Sequence, residues 1–218
     1  MRKDYANCCL GLFAKHWTPG KVKTRLGALV GMERAAHQYR CFVETTIARL
    51  NGLPIDKTLV YTPGHERLVF EEISSGWQLL YQGEGDLGVR MRRFFHEHLT
   101  ANYHRIILLG TDSPNVPLDY IEQAFELLKE HDAVFGPTED GGYYLIGLSR
   151  PADRLFESIP WSTGEVWSVT QSRLKEEGIP FATVPSWYDV DTESDFNRLR
   201  DDLRHSEESE LRELSSKL

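Results

Sequence analysis

Residues 105 to 109 read Arg-Ile-Ile-Leu-Leu and run straight into Gly110-Thr111-Asp112-Ser113-Pro114. Four consecutive apolar residues, two of them β-branched, predict a strand covered on both faces, and such strands belong to parallel sheets. Pro114 forbids a continuing strand and biases Ser113 toward an extended or turn conformation. The outcome is a carboxylate, Asp112, presented at the carboxyl end of a core strand. In open α/β sheets that edge is where ligands bind. Asp112 there suits a divalent metal that in turn holds a nucleotide diphosphate; the plainer role for an aspartate at this place is capping of the next turn or helix.

The rest of the chain repeats the alternation of strand and helix. Apolar runs near 8–13, 58–61, 77–81, 133–135 and 181–184 predict strands, and a further apolar strand follows the turn at Gly141-Gly142. Apolar residues at helical spacing predict helices over 33–50, 87–103, 118–129 and 165–177, with a last helix from about 193. The alternation implies a largely parallel sheet with helices on both faces. The predicted fold class is therefore α/β, a Rossmann-like three-layer sandwich on a mostly parallel mixed sheet. Residues 1–200 form a single domain in this reading. Residues 201–218 are an acidic C-terminal tail, a frayed extension with a thin stripe of Leu203, Leu211, Leu214 and Leu218.

Several function classes fall away on composition. The 218 residues carry a net charge of −8, which argues against a nucleic-acid partner because phosphate backbones want basic surfaces. Cys8, Cys9 and Cys41 are odd in number and sit in apolar surroundings, unlike a disulfide framework or a zinc site, so they predict reduced core residues of a cytoplasmic protein. The chain begins Met1-Arg2-Lys3, but the apolar run from 8 to 14 is short; neither a signal peptide nor a membrane partner is expected.

Against that acidic background one loop stands out. Between Tyr5 and Met32 there is no Asp or Glu, while Lys15, Lys21, Lys23 and Arg25 all fall there, around a Pro19-Gly20 turn. Such a loop after the first strand suits a phosphate ligand, although a solvated basic turn has the same composition. It is not a Walker loop. A second candidate is Gln82-Gly83-Glu84-Gly85-Asp86-Leu87-Gly88, where glycines permit close backbone approach to a flat or charged ligand. A third is Glu139-Asp140 beside Gly141-Gly142, able to supply a general base or to bind a sugar hydroxyl, or to be an acidic hairpin and nothing more. The fourth is Asp189-Val190-Asp191-Thr192: Asp191 or Thr192 can cap the last helix, which explains one aspartate of this group but not both. Separated carboxylates completed by phosphate oxygens and water suit Mg²⁺ or Mn²⁺.

Blocks at 13–15, 19–26, 85–88, 110–114, 136–147, 160–163 and 187–192 together resemble a bacterial family long of unknown function, assigned to the nucleotide-diphospho-sugar transferases of the GT-A type and linked in some members to arsenosugar biosynthesis. The match spans roughly residues 8 to 200. The resemblance implies a cytoplasmic glycosyltransferase, monomer or homodimer, that uses a nucleotide-diphospho-sugar and a small-molecule acceptor. It also implies positions. Asp112 is similar to the first aspartate of the GT-A metal motif, whose second aspartate is Pro114 here, so Asp191, with Asp189 as the alternative, becomes the partner metal ligand. Ala14, Lys15, Gly20, Lys23 and Arg25 resemble the phosphate-facing loop, and Gln82, Gly85 and Gly88 the nucleobase-side turn. Glu139 or Asp140 would face the acceptor or the sugar as catalytic carboxylates. Trp17 stands where the family loop commonly carries a proline. Two other functions fit the same ingredients: nucleotidyl transfer from an NTP, as in related guanylyltransferases, and a non-catalytic nucleotide-binding module.

Overall fold

The computed structural model describes residues 5–218, so the basic start Met1-Arg2-Lys3 lies outside the described residues. Seven strands form one mixed sheet: β1 (Cys8–Lys15), β2 (Asp56–Thr62), β3 (Gln78–Tyr81), β4 (Arg105–Leu109), β5 (Ala133–Pro137), β6 (Tyr143–Leu148) and β7 (Phe181–Thr183). Their spatial order is β3-β2-β1-β4-β6-β5-β7. β1, β2, β3 and β4 run parallel, as do β5 and β7, while β6 is antiparallel to both β4 and β5. The Rossmann-like sandwich predicted from alternation is what forms.

The helices are α1 (Thr24–Val30), α2 (Met32–Asn51), α3 (Arg67–Ile73), α4 (Leu87–Thr100), α5 (Leu118–Leu127), α6 (Val166–Glu176), α7 (Glu193–Arg204) and α8 (Ser209–Lys217). Strand alternation divides them between two cores. Leu10, Leu12 and Ala14 of β1 and Ile107 and Leu109 of β4 meet α2, α5, α7 and α8 on one face. Ile106 and Leu108 meet Met91, Phe94 and Phe95 of α4 and Leu174 of α6 on the other. Gly11 is the contact that seats α4: a Cβ there would come within 2.3 Å of the Phe94 ring, so the strand must be bare where the ring lands. Cys8, Cys9 and Cys41 are buried and joined in no disulfide among the described residues, which fits their expected place in the core. Among the described residues no helix is long and apolar enough to cross a membrane.

Three local expectations need correction. Residues 24–26, read as the end of a basic loop, open α1, which runs on to Val30; seven residues are too few for an apolar period to show. α3 was not foreseen for the same reason. The residues beyond 204 are not frayed: α8 docks Leu211 and Leu214 into the core shared with α2. The C-terminal stripe of leucines is thus packed, and Glu208, just ahead of α8, pairs with Arg49 of α2 at 2.8 Å.

Candidate active site

Every parallel strand that ends in the middle of the sheet delivers a loop to one edge. The loops after β1, β4 and β7 and the β5–β6 hairpin surround a cavity of about 790 Å³ there. Ala14, Lys15, Lys23, Arg25, Gln82, Asp112, Asp140 and Asp191 all line it, so most of the expected site residues come together across the length of the chain. Gly20, Gly85, Gly88 and Glu139 do not line it.

The post-β1 loop is held in place by its own aromatic residues. The His16 and Trp17 rings stack with centroids 4.9 Å apart, Trp17 meets Phe70 edge-on at 5.7 Å, and the Arg40 guanidinium carbon lies 5.1 Å from the indole centroid. Trp17 thereby gives by packing the stiffness that a proline would give by its ring. Lys15 Nζ donates to the Lys21 carbonyl at 2.7 Å, closing the loop on itself, and Lys23 caps α1 in a left-handed conformation with φ 45°. Beneath the loop, the Tyr39 hydroxyl accepts from the Lys15 amide at 3.2 Å and shares a 2.7 Å hydrogen bond with Thr111. Burial, then the nearby Asp112 charge, pushes the Tyr39 phenol up to about 12.

Asp112 and the 187–192 loop are bolted together. Val190 N donates to the Asp112 carbonyl at 2.9 Å, and Ser113 Oγ donates to Asp189 Oδ1 at 2.6 Å. Asn115 Nδ2 donates to Tyr188 Oη at 2.7 Å and to Asp202 Oδ2 at 3.0 Å, and its Oδ1 accepts from Trp187 Nε1 at 3.3 Å. Arg49, buried on α2, donates to the carbonyls of Pro114 at 2.7 Å and Val116 at 2.9 Å. Thr192, not Asp191, caps α7 in a reciprocal capping box with Asp195, which releases Asp191 toward the cavity.

Two aspartates 79 positions apart in the sequence consequently converge on one cation. That cation is the ammonium of Lys23, which makes a close ion pair with Asp112 and lies 2.9 Å from Asp191 Oδ1. Burial alone would lower the Lys23 pKa; Asp112 and then Asp191 outweigh it and hold the ammonium above the usual lysine range. Asp189 behaves oppositely. Burial, then the charge of Asp112, pushes its carboxyl up to about 7 despite the Ser113 hydrogen bond and Lys23. Among the described residues no group of three or more His, Cys, Asp and Glu side chains is placed to hold a metal ion. The donor chemistry nonetheless fits one: Asp112 and Asp191 offer hard oxygens converging on a single position, and Mg²⁺ commonly takes one or two carboxylates and completes its shell with phosphate and water.

The two candidate catalytic carboxylates part company. Glu139 turns to α7, where Arg198 Nη1 donates to it at 2.8 Å while the guanidinium lies 3.9 Å over the Tyr188 ring. Asp140 faces the cavity; Thr138 Oγ1 and the Gly142 amide both bond its Oδ1, at 2.6 and 3.2 Å. In the glycine-rich turn, Gln82 is buried and its Nε2 donates to the Ala14 and Val60 carbonyls, so this amide ties the turn to β1 and β2. Arg90 of α4, which lines the cavity and donates to Gln82 Oε1 at 3.3 Å, was not singled out from sequence, where it looks like one more surface charge of a helix. Gly88, in the first turn of α4, lies against Trp161; a Cβ there would sit 2.6 Å from the Phe156 carbonyl and 2.9 Å from the indole.

A family model described as an uncharacterized protein conserved in bacteria (DUF2064) matches residues 46–163. A solved structure from Desulfovibrio desulfuricans G20, provisionally assigned as a nucleotide-diphospho-sugar transferase, is 33% identical, with 97% of this chain and 96% of that chain covered and a TM-score of 0.88. More distant likenesses show the fold alone. A cytidylyltransferase from Leptospira borgpetersenii is 16% identical over 96% of this chain and 92% of its own, with a TM-score of 0.61. The 4-diphosphocytidyl-2C-methyl-D-erythritol synthase of Anaerococcus prevotii is 10% identical over 91% and 100%, with a TM-score of 0.54. No curated protein matches the chain.

Proposed function

The chain belongs to the bacterial family described as DUF2064, and from that membership we propose that it is a metal-dependent transferase that takes a nucleotide-diphospho-sugar as donor and passes the glycosyl group to a small-molecule acceptor. The observation that carries this reading is the meeting of Asp112 and Asp191 at the carboxyl edge of the sheet, opposite the cations of the post-β1 loop. A diphosphate laid between them faces Lys15, Lys21 and Arg25, whose charges match its own. The high likeness to the D. desulfuricans protein, assigned to nucleotide-diphospho-sugar transferases, supports the same donor class.

Within this reading each residue has a task. Asp112 and Asp191 would hold a Mg²⁺ or Mn²⁺ ion, with Asp189 as the further carboxylate of that loop. When bound, the ion supplies positive charge to the departing nucleoside diphosphate, where such sites gain most of their rate. Arg25, 72% exposed at its side chain with Nη1 3.9 Å from Asp191 Oδ2, would exchange that loose pair for a phosphate. Gln82 and Arg90 line the nucleobase side of the cavity, and Gly85 and Gly88 act only from behind it, by setting the turn into α4. Asp140 is the general base toward the acceptor hydroxyl, because both hydrogen bonds to its side chain fall on Oδ1 and leave Oδ2 for a proton. Glu139, paired with Arg198, instead braces the hairpin against α7.

One observation favours a second reading, nucleotidyl transfer from an NTP: the concentration of Lys15, Lys21, Lys23 and Arg25 in one loop is generous for a diphosphate, and the fold is shared with cytidylyltransferases. The two differ in the released product. A thermal-shift panel of NTPs, nucleotide-diphospho-sugars and NDPs, each with and without Mn²⁺, identifies the ligand first, since a ligand at 100 times its dissociation constant adds about 2.7 kcal/mol. The stabilising donor is then incubated with candidate acceptors. Release of nucleoside diphosphate supports glycosyl transfer. Release of pyrophosphate supports nucleotidyl transfer, and tight binding without turnover, tolerant of Asp112→Asn, would leave only a nucleotide-binding module.

A further inference from the structure

The post-β1 lysines do not share one task. Lys15 reaches the Lys21 carbonyl and Arg25, exposed, makes only a loose 3.9 Å contact with Asp191, but the Lys23 side chain is 2% exposed and is spent on both carboxylates. Its ammonium sits between Asp112 and Asp191, whose side chains remain 47% and 39% exposed on the cavity side. The position that a divalent ion would take from these two carboxylates is therefore filled from below by the chain's own cation. We propose that Lys23 is a resident counter-ion of this pair. It keeps the pair from taking up a free divalent metal, and it yields the carboxylates only when the phosphates of an incoming nucleotide offer its ammonium another anionic partner. This inference rests on the nucleotide reading of the site.

Three features of the site argue for it. A lysine ammonium is a compact charge on a flexible four-carbon stem, so it can exchange one oxygen partner for another without moving the backbone. Its backbone is fixed: Lys23 N-caps α1, and the carbonyl of Lys23 accepts from Gly27 N at 2.8 Å. The exchange of partners is thus confined to the side chain. Finally, a bare divalent ion brought to Asp112 and Asp191 meets the ammonium in the same few ångströms, and like charges at that separation repel. A metal already carried on a nucleotide brings phosphate oxygens that attract Lys23 instead. The metal then arrives with the nucleotide, not before it, and ordered binding follows from one side chain.

The test is Mn²⁺ binding to the nucleotide-free protein, read from the loss of the free-ion signal in electron paramagnetic resonance. The wild-type protein is expected to leave Mn²⁺ free at concentrations where Lys23→Met, which keeps the stem and loses the charge, binds one equivalent at least tenfold more tightly. Lys23→Arg, which keeps the charge, is expected to behave as wild type. Adding Asp112→Asn to Lys23→Met is expected to abolish the gained binding. Tight Mn²⁺ uptake by the nucleotide-free wild type overturns the proposal without any variant. So does a folded Lys23→Met that binds Mn²⁺ no better than wild type; should that variant not fold, Lys23→Gln makes the same comparison. Failure of the nucleotide reading itself would show separately, as no thermal shift of the wild type with any nucleotide.

Discussion

Ser113 Oγ donates to Asp189 Oδ1 at 2.6 Å, joining the residue after the first candidate metal ligand to a carboxylate 76 positions later. The bond explains how the site keeps an acidic second member although Pro114 stands where a second aspartate would be. Ser113 cannot hold a metal as a carboxylate does, but it can hold a carboxylate that the fold brings from the loop before α7.

Asp189 should make the fold's stability depend on pH. Its carboxyl is pushed up to about 7 in the folded chain, by burial first and Asp112 second. A folded pKa above the unfolded value means the native state binds the proton more tightly, so this contribution is full below about pH 4 and is lost as pH rises through about 7. Asp189→Asn removes the dependence while its amide oxygen still accepts from Ser113. The stability of the variant relative to wild type should rise by roughly 2 kcal/mol between pH 5 and pH 8. Chemical denaturation at the two pH values measures it, and equal differences at both would refute the assignment.

Asp112→Asn should cost stability before any ligand is added. It leaves the Lys23 ammonium, 2% exposed, with Asp191 as its remaining carboxylate partner. Removing one member of a buried ion pair costs about 3 kcal/mol, against a few tenths for an exposed one. The same variant should lose the metal-dependent thermal shift with a nucleotide. A variant as stable as wild type would show that Lys23 is better solvated than its burial implies.

Arg49 should matter to the site although it does not line the cavity. Arg49→Met strips the Pro114 and Val116 carbonyls of charged donors and frees Glu208. Buried groups left without partners cost about 1–3 kcal/mol each, so the loss should reach roughly 3 kcal/mol in unfolding free energy. Glu208→Ala should cost less than Arg49→Met, because the buried Arg49 guanidinium keeps the Pro114 and Val116 carbonyls as acceptors. Urea titration of both variants gives the comparison.

The hairpin carboxylates should separate in kinetics. Asp140→Asn should lower kcat by about 10²- to 10⁴-fold, the usual yield of a positioned base, with a donor KM near wild type. Glu139→Gln should keep kcat within a few-fold, since it loses only a surface pair with Arg198, where both partners are about half exposed. Reversed effects would move the base to Glu139.

Much of this was legible in the sequence because it is local. The 105–114 run showed both the strand and the carboxylate at its end, the 3.6 period showed α2, α4 and α5, and the missing acids between Tyr5 and Met32 showed the basic loop. α1 and α3 stayed hidden because seven residues carry too little period to outweigh turn chemistry. The use of Lys23 was hidden for a different reason. Its spacing from Lys15, Lys21 and Arg25 matches a row of phosphate contacts, whereas its actual partners come from the loop after β4 and the loop before α7. Glu139 and Asp140 are neighbours in sequence, and only the packing of the hairpin against Arg198 sends them to different surroundings. Arg49 and Arg90 gave no signal, since a buried arginine and a surface arginine on a helix are written with the same letter.

The pairing of Glu208 with Arg49 has a consequence for how the molecule matures. Chains emerge from the ribosome amino end first, and their early parts begin to fold while the rest is made. A nascent chain can complete β1 through β4 and set Asp112 at the sheet edge long before Asp189, Asp191 and Glu208 exist. Until they do, Lys23 has half its anionic partners and Arg49 lacks the carboxylate that steadies it. The edge that brings Lys23, Asp112 and Asp191 together is therefore completed late in synthesis, and a chain that stopped short of Glu208 would carry all seven strands with the brace behind its central loop missing.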